Sequence, residues 1–431
     1  MAMVKIQPGA LAGTVNVPSS KSMGHREIIC AALAQGESVI DNISMSEDIA
    51  ATLRCLNALG VRSELTASKF KGRSAVRIYG TGTVKATGDV CDCGESGSTL
   101  RFLLPLGALC GAPVTFSGAG RLGERPLKPY YDIFDEQNVK YTPAQGLPVT
   151  VEGKLHSGTF KLPGNVSSQF VSGLLFALPL LDGDSEIIIT TPLESQSYID
   201  LTLSALAKYG IKVQNNNYRS FVVAGSQQYQ SGNADVEGDW SQAAFWLAVG
   251  CLNGNIICAG ADDKSLQGDR VVKDILQRMG GSITQADGGL LAAKSKLRAT
   301  VIDAADCPDI IPVLTVASAV AEGQTKIINA GRLRIKECDR LHAIAAELNK
   351  LGADVLEQEE SLVINGRPQG LRGGRISAWN DHRIAMSMAV ASTVCAESVI
   401  IEGSESVKKS YPTFWQDFAL LGGRLEQGEN L

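Results

Sequence analysis

The sequence predicts an α/β protein of two domains, each built from three copies of one unit whose buried inner helices are surrounded by sheet. Three observations carry this. First, a polar opening followed by an apolar run recurs six times. The openings are Pro18-Ser19-Ser20-Lys21-Ser22, Gly94-Glu95-Ser96-Gly97-Ser98, Pro163-Gly164-Asn165-Val166-Ser167-Ser168-Gln169, Glu237-Gly238-Asp239-Trp240-Ser241-Gln242, Cys307-Pro308-Asp309 and Trp379-Asn380-Asp381-His382-Arg383. Their period is about 70–75 residues, and a fixed period outranks any local feature as a fold signal. Second, each run stops near Gly36, Gly111, Gly183, Gly254, Gly323 or Ala396 and leads into a β-branched strand such as Ser38-Val39-Ile40, Glu186-Ile187-Ile188-Ile189 or Ser398-Val399-Ile400-Ile401. Third, a chain of 431 residues exceeds what one hydrophobic core serves.

Each element has its own reason. The first helix of a copy is apolar on nearly every side, as in Ile28-Ile29-Cys30-Ala31-Ala32-Leu33 and in the run from Leu314 to Ala321. A helix apolar all round is buried. The second helix carries a single apolar stripe before a glycine: Ile49, Leu53, Leu56 and Leu59 before Gly60; Val272, Ile275, Leu276 and Met279 before Gly280; Leu341, Ile344, Leu348 and Leu351 before Gly352; Phe414, Phe418 and Leu421 before Gly422. That is the pattern of a half-exposed amphipathic helix with a glycine C-cap. The unit therefore reads helix, strand, helix, strand. The inner-helix N-termini converge at one end of each domain, and a helix N-terminus attracts anions.

Composition narrows the function classes. Hydrophobic content of 44% and charge of 20% belong to a soluble globular protein. The start, Met1-Ala2-Met3-Val4-Lys5-Ile6-Gln7-Pro8, lacks the apolar core of a signal peptide, and the apolar stretch around Phe170 to Leu181 is too short to span a bilayer. A cytoplasmic protein without a membrane partner is expected. Net charge of −5 argues against bulk nucleic-acid binding. The ten cysteines form no C-x-x-C pair and are expected to be reduced, buried thiols. Four histidines without ligand spacing give no metal site.

The openings carry the candidate chemistry. Lys21-Ser22-x-x-x-Arg26 places two cations and a hydroxyl at a helix start, where cations oppose the macrodipole unless an anion sits there. Gly97-Ser98-Thr99-Leu100-Arg101 repeats the theme with a glycine that admits close approach. Arg121-Leu122-Gly123-Glu124-Arg125-Pro126 offers two guanidinium forks suited to carboxylate or phosphate. Ser167, Ser168 and Gln169 bring two hydroxyls and an amide to another helix start, more than one N-cap requires. Ser195 and Tyr198 precede a further helix and read equally well as caps. By itself, Lys336-Glu337-x-Asp339-Arg340 reads as a solvated helix face with local ion pairs. An extended solenoid used as a binding scaffold is the competing interpretation of the repeat. Its copies are usually shorter, and its terminal copy would show a polar outer face.

Taken in order, these motifs, with Tyr198-Ile199-Asp200, Glu237-Gly238-Asp239, Gln267-Gly268-Asp269 and Asn380-Asp381-His382-Arg383, resemble the 5-enolpyruvylshikimate-3-phosphate synthase family over essentially the whole chain. The resemblance implies the enolpyruvyl transferase fold, with βαβαββ-type repeats. It implies domains at 19–237 and at 1–18 plus 238–431, with the active site in the cleft between them. It also implies transfer of the enolpyruvyl group of phosphoenolpyruvate to the 5-hydroxyl of shikimate 3-phosphate, by a monomer that needs no cofactor or metal and is a target of glyphosate.

By the same resemblance, Lys21, Ser22, Arg26, Ser167, Ser168, Gln169, Ser195, Tyr198, Asp309 and Lys336 would hold shikimate 3-phosphate. Lys21, Gly97, Arg125, Gln169, Arg340, Arg383 and Lys409 would hold phosphoenolpyruvate. Asp309 fits the base, and Glu337, with Lys21, the acid. The sister carboxyvinyltransferase acting on UDP-N-acetylglucosamine usually carries a cysteine near the position of Arg121 to Arg125. No cysteine lies there, and Cys110 falls in the apolar helix. A catalytically dead scaffold is disfavoured because Lys21, Asp309, Glu337 and Arg383 occur together. The chain departs from the common family pattern at Glu95-Ser96-Gly97-Ser98 (often Asn-Ala-Gly-Thr), Arg332-Leu333 (often Asn-Trp) and Gly24-His25 (often Ser-Asn).

Overall fold

The computed structural model describes residues 2–143, 145–429 and 431. It divides into two compact units, an insert unit Ser19–Val236 and a split unit formed by the chain up to Pro18 with Glu237–Leu431. Glu237, placed by the sequence with the first domain, groups with the split unit, where its Oε1 accepts from Gln267 Nε2 at 2.9 Å.

The insert unit contains helices α1 (Lys21–Leu33), α2 (Glu47–Ala58), α3 (Gly97–Gly107), α4 (Lys128–Gln137), α5 (Ser168–Ala177) and α6 (Gln196–Lys208). The split unit contains α7 (Trp240–Asn253), α8 (Val271–Arg278), α9 (Ile311–Ala319), α10 (Arg340–Lys350), α11 (His382–Ser392) and α12 (Phe414–Leu420). Odd-numbered helices begin the copies. They are buried along almost their whole length, α7 and α9 on every side, because they carry almost no polar face. Each unit has its own hydrophobic core.

Among the described residues each unit has three small sheets. One copy shows the plan. Val301–Asp303 and Gln324–Ile328 are parallel and joined through α9. After α10, Val355–Glu357 and Leu362–Asn365 form an antiparallel hairpin, and Leu362–Asn365 pairs with Gln324–Ile328. The copy is thus βαβαββ, with two strands more than the helix–strand–helix–strand unit visible in the residues alone. Those extra strands are three to six residues long in most copies, too short for alternation to stand out.

Both units close with borrowed strands. The chain enters α1 directly after Pro18, so the first copy has no strand of its own before that helix. Tyr229–Gln230 and Ala234–Asp235 take that place, parallel to Ala34–Ile43. Met3–Gln7 in turn lies between Val399–Glu402 and Arg424–Gly428 and completes the sixth copy. Leu11–Asn16 pairs in parallel with Gly254–Ala259.

Several sequence expectations shift in detail. Tyr198 lies inside the first turn of α6, with Ser195 as its N-cap residue. Cys110 lies beyond the end of α3 and is partly exposed; the ten cysteines are free thiols, the other nine buried. No helix of the described residues is long and apolar enough to cross a membrane.

The inner helices approach closely where glycine allows it. At Gly173 of α5 an added Cβ would lie 2.1 Å from Tyr130 Oη and 2.3 Å from the Arg101 carbonyl of α3. Tyr130 Oη sits 2.7 Å from that carbonyl and 3.0 Å from Phe170 O, so one phenol ties α4, α3 and α5 together. Gly173→Ala is expected to cost about 1–3 kcal/mol in denaturant unfolding, the ordinary range for overpacking. An unchanged unfolding midpoint would show that α3 and α5 are not locked there.

Candidate functional site

In five of the six copies a polar residue of the opening first serves its own helix, and in the fifth, where α9 starts without a side-chain cap, the cap is on the second helix, α10. Ser20 accepts from Met23 N, Ser96 from Thr99 N, Ser167 from Gln169 N, Asp239 from Ser241 N and Gln242 N, Asp339 from His342 N, and Asp381 from Arg383 N. These oxygens satisfy N–H groups that a helix start leaves open. The charged and amide side chains beside these caps are left to make other contacts.

In the insert unit, Lys21 is the first residue of α1 and pairs with Asp48 at 2.7 Å. Arg26 is buried. Its Nη1 donates to Ser22 O (2.7 Å), its Nη2 to Tyr198 O (2.8 Å) and its Nε to Thr202 Oγ1 (2.8 Å). Burial lowers its pKa to about 10, which leaves it charged at neutral pH. Arg26 thus welds α1 to α6 beside Tyr198, and three of its five N–H groups point at protein. His25 donates to or accepts from Thr52 Oγ1 at 2.7 Å, and burial, then Lys21 and Arg26, hold its pKa well below the usual value, so it is neutral.

A second cluster joins α3 and α5. Arg101 Nη1 donates to Gln169 Oε1 (2.8 Å), and Gln169 Nε2 donates to Ser98 Oγ (2.9 Å). The Gln169 amide is therefore fixed in one orientation. Arg125 follows the short 3-10 turn Gly120–Glu124. A Cβ at Gly97 would lie 2.6 Å from Arg125 Nη1, so the guanidinium occupies the space glycine leaves. Ser168 is buried in the first turn of α5, and Ser195 is buried with φ 55°. Such a backbone is uncommon for a residue other than glycine and persists only where the surroundings support it.

In the split unit the charges are denser. Arg340, 1% exposed, opens α10. Its Nη1 donates to Asp309 Oδ1 (2.8 Å), its Nη2 to Glu337 Oε2 (2.7 Å) and its Nε to Asp381 Oδ2 (2.7 Å). Lys336 Nζ lies 3.6 Å from Asp309 Oδ1 and Arg383 Nη2 lies 3.7 Å from Asp309 Oδ2. Arg383 is aimed by Ser241, whose carbonyl and Oγ accept from Nη1 (2.9 Å) and Nη2 (2.7 Å). Lys409 Nζ donates to Asn380 O at 2.6 Å.

These contacts fix the protonation states. Burial works to raise the Asp309 pKa, but Lys336, Arg383 and Arg340 outweigh it and hold the carboxyl well below the usual range. Burial lowers the Lys336 pKa, partly offset by Asp309. Burial also works against charge on Arg340, yet Asp381, Glu337 and Asp309 keep it firmly protonated.

Asp309, Lys336, Glu337, Arg340 and Arg383 form one cluster, with Lys409 joined to it through the Asn380–Arg383 turn. The run from Lys336 to Arg340 is not a solvated helix face, because Asp339 caps α10 and Arg340 points inward from its first turn. Gln267 holds the chain crossing, with Nε2 on Gly238 O (2.8 Å) and Oε1 on Trp240 N (3.1 Å). Three partners escaped the sequence reading. Asp381 and Ser241 stand in motifs already singled out, and helix-capping logic marks the former. Asp48 reaches Lys21 from 27 residues away with no local pattern to announce it.

The fold has known counterparts. The enolpyruvyl transferase NikO from Streptomyces tendae superposes with a TM-score of 0.79 at 18% identity over 99% of both chains, and EPSP synthase from Acinetobacter baumannii with 0.81 at 27% identity over 100% of both. The architecture is thus that of the enolpyruvyl transferases. The description of EPSP synthase (3-phosphoshikimate 1-carboxyvinyltransferase) matches residues 6–418. The 3-phosphoshikimate 1-carboxyvinyltransferase of Clostridium kluyveri is 50% identical over 99% of both chains, and that of Clostridium perfringens (strain ATCC 13124) 52% identical over 99% of this chain and 100% of its own. The chain belongs to the EPSP synthase family.

Gly97→Ala tests the insert-unit cluster. The clash is with the tip of a flexible side chain, so the variant is expected to keep its melting temperature. Displacing one charge-assisted contact is expected to raise the Michaelis constant for phosphoenolpyruvate about 10- to 100-fold. An unchanged constant would mean that Arg125 does not act from this position.

Proposed function

We propose that this chain transfers the enolpyruvyl group of phosphoenolpyruvate to the 5-hydroxyl of shikimate 3-phosphate and releases phosphate, a step of the shikimate pathway toward aromatic amino acids. One observation carries the reading: Arg340 holds two carboxylates, Asp309 and Glu337, at 2.8 and 2.7 Å among Lys336 and Arg383. A reaction between two polyanions needs such fixed cations, and its proton transfers need two carboxyl groups.

The assigned roles follow from that arrangement. Asp309, ionised at neutral pH, takes the 5-hydroxyl proton as the oxygen bonds to C2 of phosphoenolpyruvate. Glu337, with Lys21 assisting, gives a proton to C3, which makes C2 electrophilic. Elimination returns a proton from C3 to Glu337 and breaks the bond from C2 to the phosphate oxygen, while the proton held by Asp309 passes to the departing phosphate. The products are 5-enolpyruvylshikimate 3-phosphate and phosphate.

The low proton affinity of Asp309 without ligands makes it a weak base at rest. Substrate anions that engage Lys336, Arg340 and Arg383 weaken the grip of those cations on Asp309 and raise its proton affinity. Substrate binding thus tunes the carboxyl group for transfer.

The proposed ligands of phosphoenolpyruvate are Arg340, Arg383, Lys409, Lys21, Gly97, Arg125 and Gln169. Ser22, Arg26, Ser167, Ser168, Ser195, Tyr198 and Lys336, with Lys21, Gln169 and Asp309, bind shikimate 3-phosphate. Arg26 acts largely by fixing Tyr198 and the Ser22 carbonyl. Glyphosate is expected to inhibit by competing for the phosphoenolpyruvate ligands, Arg125 beside Gly97 among them. The enzyme acts as a monomer in the cytoplasm.

Phosphate release from phosphoenolpyruvate, measured in parallel with shikimate 3-phosphate and with UDP-N-acetylglucosamine, tests the acceptor. Release is expected with shikimate 3-phosphate alone. Release only with the nucleotide sugar, or with neither from folded protein, would overturn the reading. Asp309→Ala is expected to lower kcat by about 10²–10⁴, the usual worth of a general base, while both Michaelis constants change little. A raised Michaelis constant with normal kcat would remove Asp309 from the base role.

A further inference from the structure

Helix α10 grips the segment before α11 at two points. Arg340 and Glu347 are seven residues apart, two turns on one face and about 10 Å along the axis. Arg340 holds Asp381 at the start of α11. Glu347, fully buried, accepts Ser377 N–H on Oε2 at 3.1 Å and the Trp379 indole N–H on Oε1 at 2.7 Å. Lys350 Nζ lies 2.8 Å from both of its oxygens.

Between the two grips the backbone is strained. Trp379 and Asn380 are consecutive residues with φ 54° and 51°. Left-handed geometry is unfavourable for residues with a Cβ, and a bulky tryptophan has no local means of relieving it. Burial does not hold Trp379 in place, because it is 38% exposed. Its ring meets the edge of His342, centroids 5.5 Å apart. The Asn380 carbonyl at this turn receives Lys409 Nζ at 2.6 Å, and the next residues are Asp381 and Arg383.

We infer that Glu347 is a positioning residue. Through the Ser377 amide and the Trp379 indole it fixes the left-handed turn, and through the turn it sets where Lys409 and Arg383 point. It touches no substrate. The assignment rests on the proposed function only for the ligand that those two cations bind, phosphoenolpyruvate.

The test uses the full-length chain with Trp379→Phe, which removes the indole N–H and keeps a ring beside His342, and Glu347→Gln, which keeps size. Each is expected to raise the Michaelis constant for phosphoenolpyruvate about 5- to 20-fold, less than loss of a direct charged contact. The constant for shikimate 3-phosphate is expected to move less than about twofold, because its proposed ligands lie off this turn, and the double variant to be no worse than the stronger single one. Indole N–H resonances give an independent readout. The chain has four tryptophans, Trp379→Phe identifies one signal by its loss, and Glu347→Gln is expected to shift that signal alone. If wild-type protein releases no phosphate, the functional reading fails while the indole shift still decides the positioning. An unmoved indole signal, an unchanged phosphoenolpyruvate constant, or both Michaelis constants rising together with a lowered melting temperature would overturn the inference.

Discussion

The interaction on which the split unit depends is the guanidinium of Arg340 set among Asp309, Glu337 and Asp381. Three carboxylates from three separate segments meet one buried cation. Loss of one partner from such a cluster leaves a buried charge uncompensated, at about 3–5 kcal/mol. The planar fork of arginine also fixes direction, which a lysine ammonium cannot do. The spacing of the two proposed proton carriers is therefore a property of α10's first residue. Lys336 and Arg383 flank Asp309, so two further cations stand beside the proposed base.

The insert unit holds its cations, Lys21, Arg26, Arg101 and Arg125, among amide and hydroxyl groups. Gln169 is held between Arg101 and Ser98, so its amide cannot turn. The contact of α3 with α5 at Gly173, sealed by Tyr130, keeps the Gly97 turn aligned with Ser168 and Gln169. Rigid dipoles and charges arranged in advance cost no reorganisation during a reaction, which is where much of an enzyme's electrostatic advantage lies. Five of the six inner helices are closed by a side-chain cap, and α9 is the exception. The repeat supplies the places, and differences between copies supply the chemistry.

The repeat, the buried inner helices and the outer amphipathic helices were legible because hydrophobic periodicity is a local signal. The short strands were not, since three or four residues such as Val355–Glu357 leave no pattern. Borrowed strands such as Met3–Gln7 were invisible because their partners lie about four hundred residues away. The ionic residues were legible as members of ordered motifs, Lys21, Arg125, Asp309, Glu337 and Arg383 among them. What their side chains touch was not. Arg26 could be read as an anion ligand, but its bonds to Tyr198 O and Thr202 could not. Arg340 looked like a surface residue and is almost wholly buried. Asp48, Ser241 and Glu347 gain their significance only from tertiary contacts.

The most direct measurement is the steady-state rate of phosphate release by Arg340→Lys, in protein shown by circular dichroism to be folded at the assay temperature. Lysine keeps the charge and loses the fork. If the guanidinium sets the geometry of Asp309 and Glu337, kcat/KM falls by about 10³ or more, a loss of the size seen when preorganised electrostatic contacts are removed. A folded variant with kcat/KM within about tenfold of wild type would contradict the account, because charge alone would then suffice.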